Sequence, residues 1–143
     1  MTAADLVGSW RLLSCEHAPV AGGAVEHPFG PEPQGRLLYA ADGRMSVLLV
    51  DPRRKRFESY QLFESSDVEL AEAARGCVAY SGRWELIGGK VLHRVDVSLF
   101  PNWMGGALTR FAALSDKRLT LSTAEFAIRG AAYTASLVWE RES

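Results

Sequence analysis

The 143-residue chain is poor in most of the features that announce a chemistry. Two cysteines, Cys15 and Cys77, and three histidines provide neither a disulfide framework nor ligands at metal spacing, so both thiols are expected to be free and in or near the core. Neither sign of charge dominates: the formal net charge is -1, which argues against nucleic acid or an anionic membrane as partner. No apolar run approaches the length of a membrane helix, and the opening "MTAADLVGSW" has no charged n-region or apolar h-region. A soluble, cytoplasmic protein is expected. A phosphate-cradling glycine loop, a dinucleotide fingerprint, a nucleophile elbow and a zinc-binding HExxH are all missing. Triad hydrolysis and nucleotide-dependent redox chemistry are thereby disfavoured, and no cofactor or metal is expected. Nor is there an internal repeat, low-complexity tract or linker, so residues 1–143 read as a single domain.

What the chain does have is alternation. Eight segments carry apolar side chains at every second position: "SWRLLSCEH", "GRLLYAA", "RMSVLLV", "VAYSGRWELI", "KVLHRVDVSL", "LTRFAALS", "RLTLSTA" and "AYTASLVWER". One helix stands out, "SDVELAEAARG", with Ser66 or Asp67 as N-cap and Gly76 as stop. It falls between strands three and four. The connections alternate in length. "AADGR", "IGGK" and "LSDKR" are tight turns, whereas the others are long and rich in proline or aromatics. In an up-and-down meander, alternate loops fall on opposite ends. The predicted fold is therefore all-β, an eight-stranded antiparallel up-and-down barrel tied off by hairpins at one end and open among long loops at the other. That is a size able to hold one small ligand.

Inner rows follow from the alternation. Tyr80, Trp84 and Leu86 point inward on strand four, as do Val91, His93, Val95, Val97 and Leu99 on strand five. Leu119 and Leu121 do so on strand seven, and Tyr133, Leu137 and Trp139 on strand eight. Strand six is ambiguous, because Phe111 and Leu114 lie on different rows. Strand three is apolar on both rows, and its outer row is expected to lie under the helix.

"LVGSW" before the first strand and Arg141 at the end of the last resemble the Gly-x-Trp and terminal arginine of the lipocalin/calycin superfamily. "HPFGPEPQGRLLYAADGRMSVLL", "YSGRWEL" and "VSLFPNWMG" resemble, more narrowly, the bacterial and fungal lipocalin-like domain proteins, and the likeness covers nearly the whole chain. The resemblance implies a ligand-holding barrel whose closed end is packed by Trp10 with Arg141 over it. Both residues fall at the hairpin end of the predicted topology.

His93 is the odd member of its row, an imidazole among valines. It is expected either to be a neutral core histidine bonded to a tyrosine or carbonyl, or to anchor or protonate a ligand. Tyr39, Tyr80 and Tyr133 lie on rows that face it. Glu16, read onto the row of Trp10 and Leu12, makes a rim acid/base pair with His17 conceivable. In the loop "SLFPNWMGG", Phe100, Asn102, Trp103 and Met104 either plug the mouth or touch what enters it, and Phe29 is expected to tuck inward. The run "DPRRKRFES" reads as a solvated loop from which Arg53, Arg54 or Arg56 can meet a ligand carboxylate.

The expected ligand-binding set is thus Tyr39, Tyr80, Trp84, His93, Phe100, Asn102, Trp103 and Tyr133. The expected function is binding of a small hydrophobic or aromatic metabolite, by a monomer or homodimer. The alternative is a small cyclase, isomerase or hydratase with His93 as catalytic acid/base. Haem ligation by His93 is a third possibility, without a motif to support it.

Overall fold

The structure, a computed structural model, describes residues 1–142. A short helix, α1 (Ala3–Leu6), leads into β1 (Gly8–Pro19), β2 (Gln34–Tyr39) and β3 (Arg44–Val50). A nine-residue helix, α2 (Asp67–Arg75), precedes β4 (Cys77–Ile87), β5 (Lys90–Ser98), β6 (Ala107–Ser115), β7 (Arg118–Ser122), β8 (Phe126–Ile128) and β9 (Ala131–Arg141). The strands pair antiparallel in the order β1-β2-β3-β4-β5-β6-β7-β9, and β9 returns to β1. That ring is the expected closed eight-stranded barrel. β8 is an addition, a three-residue strand within the connection "EFAIRGA" that pairs with the upper part of β9. α2 begins where its cap chemistry puts it. Ser66 Oγ accepts from the Glu69 amide at 3.1 Å, and the Glu69 carboxylate accepts from the Ser66 amide at 3.0 Å. No helix among the described residues is long and apolar enough to cross a membrane.

The closed end is packed as solidly as the rest of the core. Leu6 and Trp10 are fully buried there, and the Trp10 indole N–H donates to the Leu6 carbonyl at 3.0 Å. The Arg141 guanidinium lies 4.2 Å from the Trp10 ring centre, and its Nη1 donates to the Val7 carbonyl at 2.9 Å. Its Nη2 donates to the Asp5 carbonyl. Trp10 and Arg141 are also direct partners in the β1–β9 ladder.

Two β-bulges change which side chains face inward. In β1, Leu12 pairs with Trp139 and Ser14 with Val138, so Leu13 is an extra residue. Beyond it the rows exchange. Cys15 is buried and His17 lines the interior, while Glu16 sits on the opposite row. The reading of Glu16 as inward is thereby corrected. In β5, Gly82 pairs with Val95 and Ser81 with Val97, so Asp96 is extra. Val97 and Leu99, read as inward, are about half exposed for that reason. Gly82 is where the bulge presses the strands together: a Cβ there would lie 1.9 Å from the Arg94 carbonyl oxygen, so only glycine fits.

Strand six resolves in favour of Leu108, Arg110, Ala112 and Leu114 as the inner row. Phe111 lies outside, with the Lys90 ammonium 5.6 Å from its ring centre. The outer row of β3 is not covered by α2, since Leu48 remains half exposed. The helix instead packs beside β4.

Candidate functional site

The inner rows enclose a cavity of about 580 Å³, within the range of small-molecule sites. Its wall is largely apolar: Leu37, Val47, Leu49, Leu108, Leu121 and Leu137 all contribute. Phe29 and Trp103 reach it from the long loops, Phe29 as expected. The barrel is parted on one side. β6 pairs with β7 only from Phe111 onward, and the β6 residues before it pair with β5 alone. Both banks of this seam line the cavity, Ala107 to Arg110 on one side and Thr123 to Phe126 on the other. Ala107, Thr109, Ala124 and Glu125 are exposed while lining it, so the cavity reaches solvent there.

A polar cluster interrupts the apolar wall. His93, 2% exposed, has one tyrosine hydroxyl on each ring nitrogen: Tyr39 on Nε2 and Tyr80 on Nδ1, each at 2.6 Å. β2, β4 and β5 place the three residues on one side of the barrel, and the Trp84 ring packs on Tyr39 with centroids 4.6 Å apart. The hydrogen-bond inventory orders the protons. A neutral imidazole donates from one nitrogen and accepts at the other. Tyr39 is buried, and among the described residues His93 is the one partner of its hydroxyl. Its proton is therefore best used on Nε2. His93 then donates from Nδ1 to Tyr80, and the Tyr80 O–H is left over, on a residue that lines the cavity.

The electrostatics agree with a neutral chain. Burial, with the charge of Arg110 second, pushes the His93 pKa down to about 3. Burial raises both phenols, although Arg110 opposes the rise at Tyr80. The Cys15 thiol is pushed up to about 12, mainly by burial, and stays protonated.

The expected ligand-binding residues separate into three groups. Tyr80, His93 and Trp103 line the cavity, with the Trp103 ring edge-on to Tyr80 at 5.7 Å. Tyr39 and Trp84 stand behind His93 and shape the site without forming its wall. Phe100, Asn102 and Tyr133 lie elsewhere. Phe100 packs on the far side of Trp103, about half exposed, and Asn102 is exposed on the 3₁₀ turn Pro101–Trp103. Tyr133 packs against Phe126 and His17 near the start of β9, where that strand pairs with β8 on one side and β1 on the other. Met104 is half exposed as well. Of the basic loop, Arg53 is held by Asp51 at 2.8 Å and Arg54 donates to the Ala73 carbonyl at 3.2 Å. Neither these two nor Arg56 lines the cavity.

The alternation alone did not mark Arg110 or Trp139 as site residues, and it left the face of His17 unassigned. The signal for Arg110 was present in "LTRFAALS": three of the four residues on its row are aliphatic, against two apolar residues, Phe111 and Ala113, on the other.

The whole of residues 7–142 matches the lipocalin-like domain family, and the chain belongs to it. It is also similar to the 4'-hydroxy-3'-methoxypropiophenone carrier protein of Aspergillus oryzae. The two are 31% identical over 106 residues, which cover 68% of this chain and 96% of that relative.

Proposed function

We propose that this protein is a carrier that encloses one small, flat, mainly apolar molecule in its barrel and anchors it at the Tyr80–His93 cluster. The observation that carries the reading is the cavity of about 580 Å³, largely apolar, with the Tyr80–His93 pair set into its wall. That is the arrangement by which a pocket buries an apolar body and orients one oxygen. The similarity to a carrier of an aromatic ketone supports it. A catalytic acid/base role for His93 gains nothing from the geometry, because both ring nitrogens are already engaged by tyrosine hydroxyls and burial disfavours the imidazolium. The proposal includes a cytoplasmic setting, which suits two free thiols, Cys15 and Cys77.

Trp103 and Trp139, both on the cavity wall, are the reporters. Titration with 4'-hydroxy-3'-methoxypropiophenone should quench tryptophan fluorescence saturably at one ligand per chain, and Trp103→Phe should lose part of the quench. The absence of saturable binding for this ketone and for a panel of flat aromatics and fatty acids would overturn the carrier reading. Native mass spectrometry of protein purified from its own host would then find no small molecule.

A further inference from the structure

The cavity lining carries one guanidinium, Arg110, and one carboxylate, Glu125, and the two do not pair with each other among the described residues. Arg110 is on the inner row of β6, only partly exposed, at the edge of the seam. Its Nη1 reaches the carbonyl of its own neighbour Thr109 at 3.2 Å, and no ion pair with a carboxylate forms among the described residues. The one carboxylate in the cavity lining, Glu125, is exposed at the rim. With the Tyr39 proton placed on Nε2, the Tyr80 O–H is the free end of the Tyr39–His93–Tyr80 chain. Trp139 adds an indole N–H that is buried without an acceptor, on a residue that also lines the cavity. A partly exposed guanidinium at the edge of a largely apolar cavity, with no ion pair among the described residues, is a mildly unfavourable arrangement for an empty site. It becomes favourable when a negative oxygen arrives.

We infer that the ligand binds as an oxygen anion, an ionised phenol or a carboxylate on a flat apolar body, with its charged oxygen paired to Arg110 and accepting the Tyr80 O–H. This rests on the carrier reading and adds the ionisation state and the residue that selects it. A phenol conjugated to a para carbonyl is more acidic than tyrosine, so a hydroxyaryl ketone can enter in this form by releasing its proton to solvent. The other titratable groups lining the cavity are Cys15, His17, Tyr80, His93 and Glu125. Cys15 and Tyr80 are held protonated and His93 neutral by burial, and burial lowers His17. Arg110 is thus the fixed positive charge of the cavity.

The test compares three probes on the intact protein by calorimetry: 4'-hydroxy-3'-methoxypropiophenone, its 4'-O-methyl ether, and 4-methoxybenzoate. At least one of the two acids should bind about tenfold tighter than the ether, the size of a charge-assisted hydrogen bond. Whichever acid leads identifies phenolate or carboxylate as the source. If it is the phenol, its preference should grow as pH rises through the phenol's own pKa, with a red-shifted phenolate absorption in the complex. Arg110→Gln should abolish the preference and Arg110→Lys should restore part of it. The readout is a ratio within each variant, so partial loss of folded protein does not distort it, and the pH arm needs no variant. An ether that binds as tightly as both acids, or a preference that survives Arg110→Gln, overturns the inference while leaving the carrier reading intact. Failure of all three probes to bind removes both.

Discussion

Arg141 and Arg110 both approach the barrel interior, and they are treated in opposite ways. Arg141 stacks on Trp10 and donates to the Val7 and Asp5 carbonyls. Arg110 forms no ion pair among the described residues, and its guanidinium is met only by the adjacent Thr109 carbonyl and the neighbouring Tyr80 hydroxyl. The tryptophans repeat the contrast. The Trp10 N–H is bonded to the Leu6 carbonyl, whereas the buried Trp139 N–H has no acceptor. A framework satisfies its polar groups internally. A cavity that leaves donors unmet is arranged for something to arrive. The closed end and the cavity wall both use an arginine and a tryptophan, and the completeness of their hydrogen bonding separates structure from recognition.

The largest effect should come from attacking the complete end. Trp10 is fully buried at the centre of the plug, so Trp10→Ala should destabilise the fold by ~3–5 kcal/mol. Arg141→Met, which removes the stacking and two carbonyl bonds, should cost about 2 kcal/mol. Chemical denaturation with a constant m-value would measure both. A loss below about 0.5 kcal/mol for Arg141→Met would place it among ordinary surface changes, and the contrast with Arg110 would dissolve.

His93 gives the second test, because its neutrality belongs to the cavity side of the comparison. An unfolded histidine titrates near ~6.5, while in the fold burial and Arg110 push His93 down to about 3. Below that unfolded value the unfolded chain takes up a proton that the folded chain refuses. Stability contributed by the neutral imidazole is therefore complete above pH ~6.5 and is lost as pH falls toward the folded value, by ~1.4 kcal/mol per pH unit. His93→Gln keeps a hydrogen-bonding group and removes the titration. Between about pH 6.5 and about pH 4 the wild type should lose stability more steeply than this variant. Parallel slopes would mean that the imidazole is protonated in place and donates from both nitrogens, so that both tyrosine hydroxyls act as acceptors toward it.

How much of this could be read from the chain depends on periodicity. Side chains alternate strictly along a regular strand, so eight ring strands, three hairpins and the closed end followed from spacing, and Ser66 and Gly76 marked α2. Alternation fails at a bulge, where one added residue exchanges the rows. Nothing local in "LLSC" or "RVDVS" says that Leu13 or Asp96 is the added one, because the bulge is defined by the partner strand. That is why Glu16, Val97 and Leu99 were read onto the wrong face while His93, which precedes its bulge, was not. β8 was missed because three residues are too few to display a period. Arg110 was overlooked for a different reason. A charge on an aliphatic row looks like a misassigned register until the pairing with β5 and β7 shows that it faces inward.

Arg110 also offers the smallest stability effect and the sharpest test of the comparison. A guanidinium held partly out of water without a counter-ion contributes little to the folded state and burdens it with desolvation. Methionine fills similar volume, suits the surrounding leucines and needs no hydrogen bonds. Arg110→Met should therefore leave the ligand-free protein's stability within ~1 kcal/mol of wild type, or raise it. The thermal unfolding midpoint of the ligand-free variant, set beside that of Arg141→Met, decides the matter. If the two arginines prove equally costly to remove, Arg110 is a second element of the framework and the cavity has no built-in preference for charge. If only Arg141→Met destabilises, Arg110 is kept for the ligand at no benefit to the fold, as a residue that serves recognition should be.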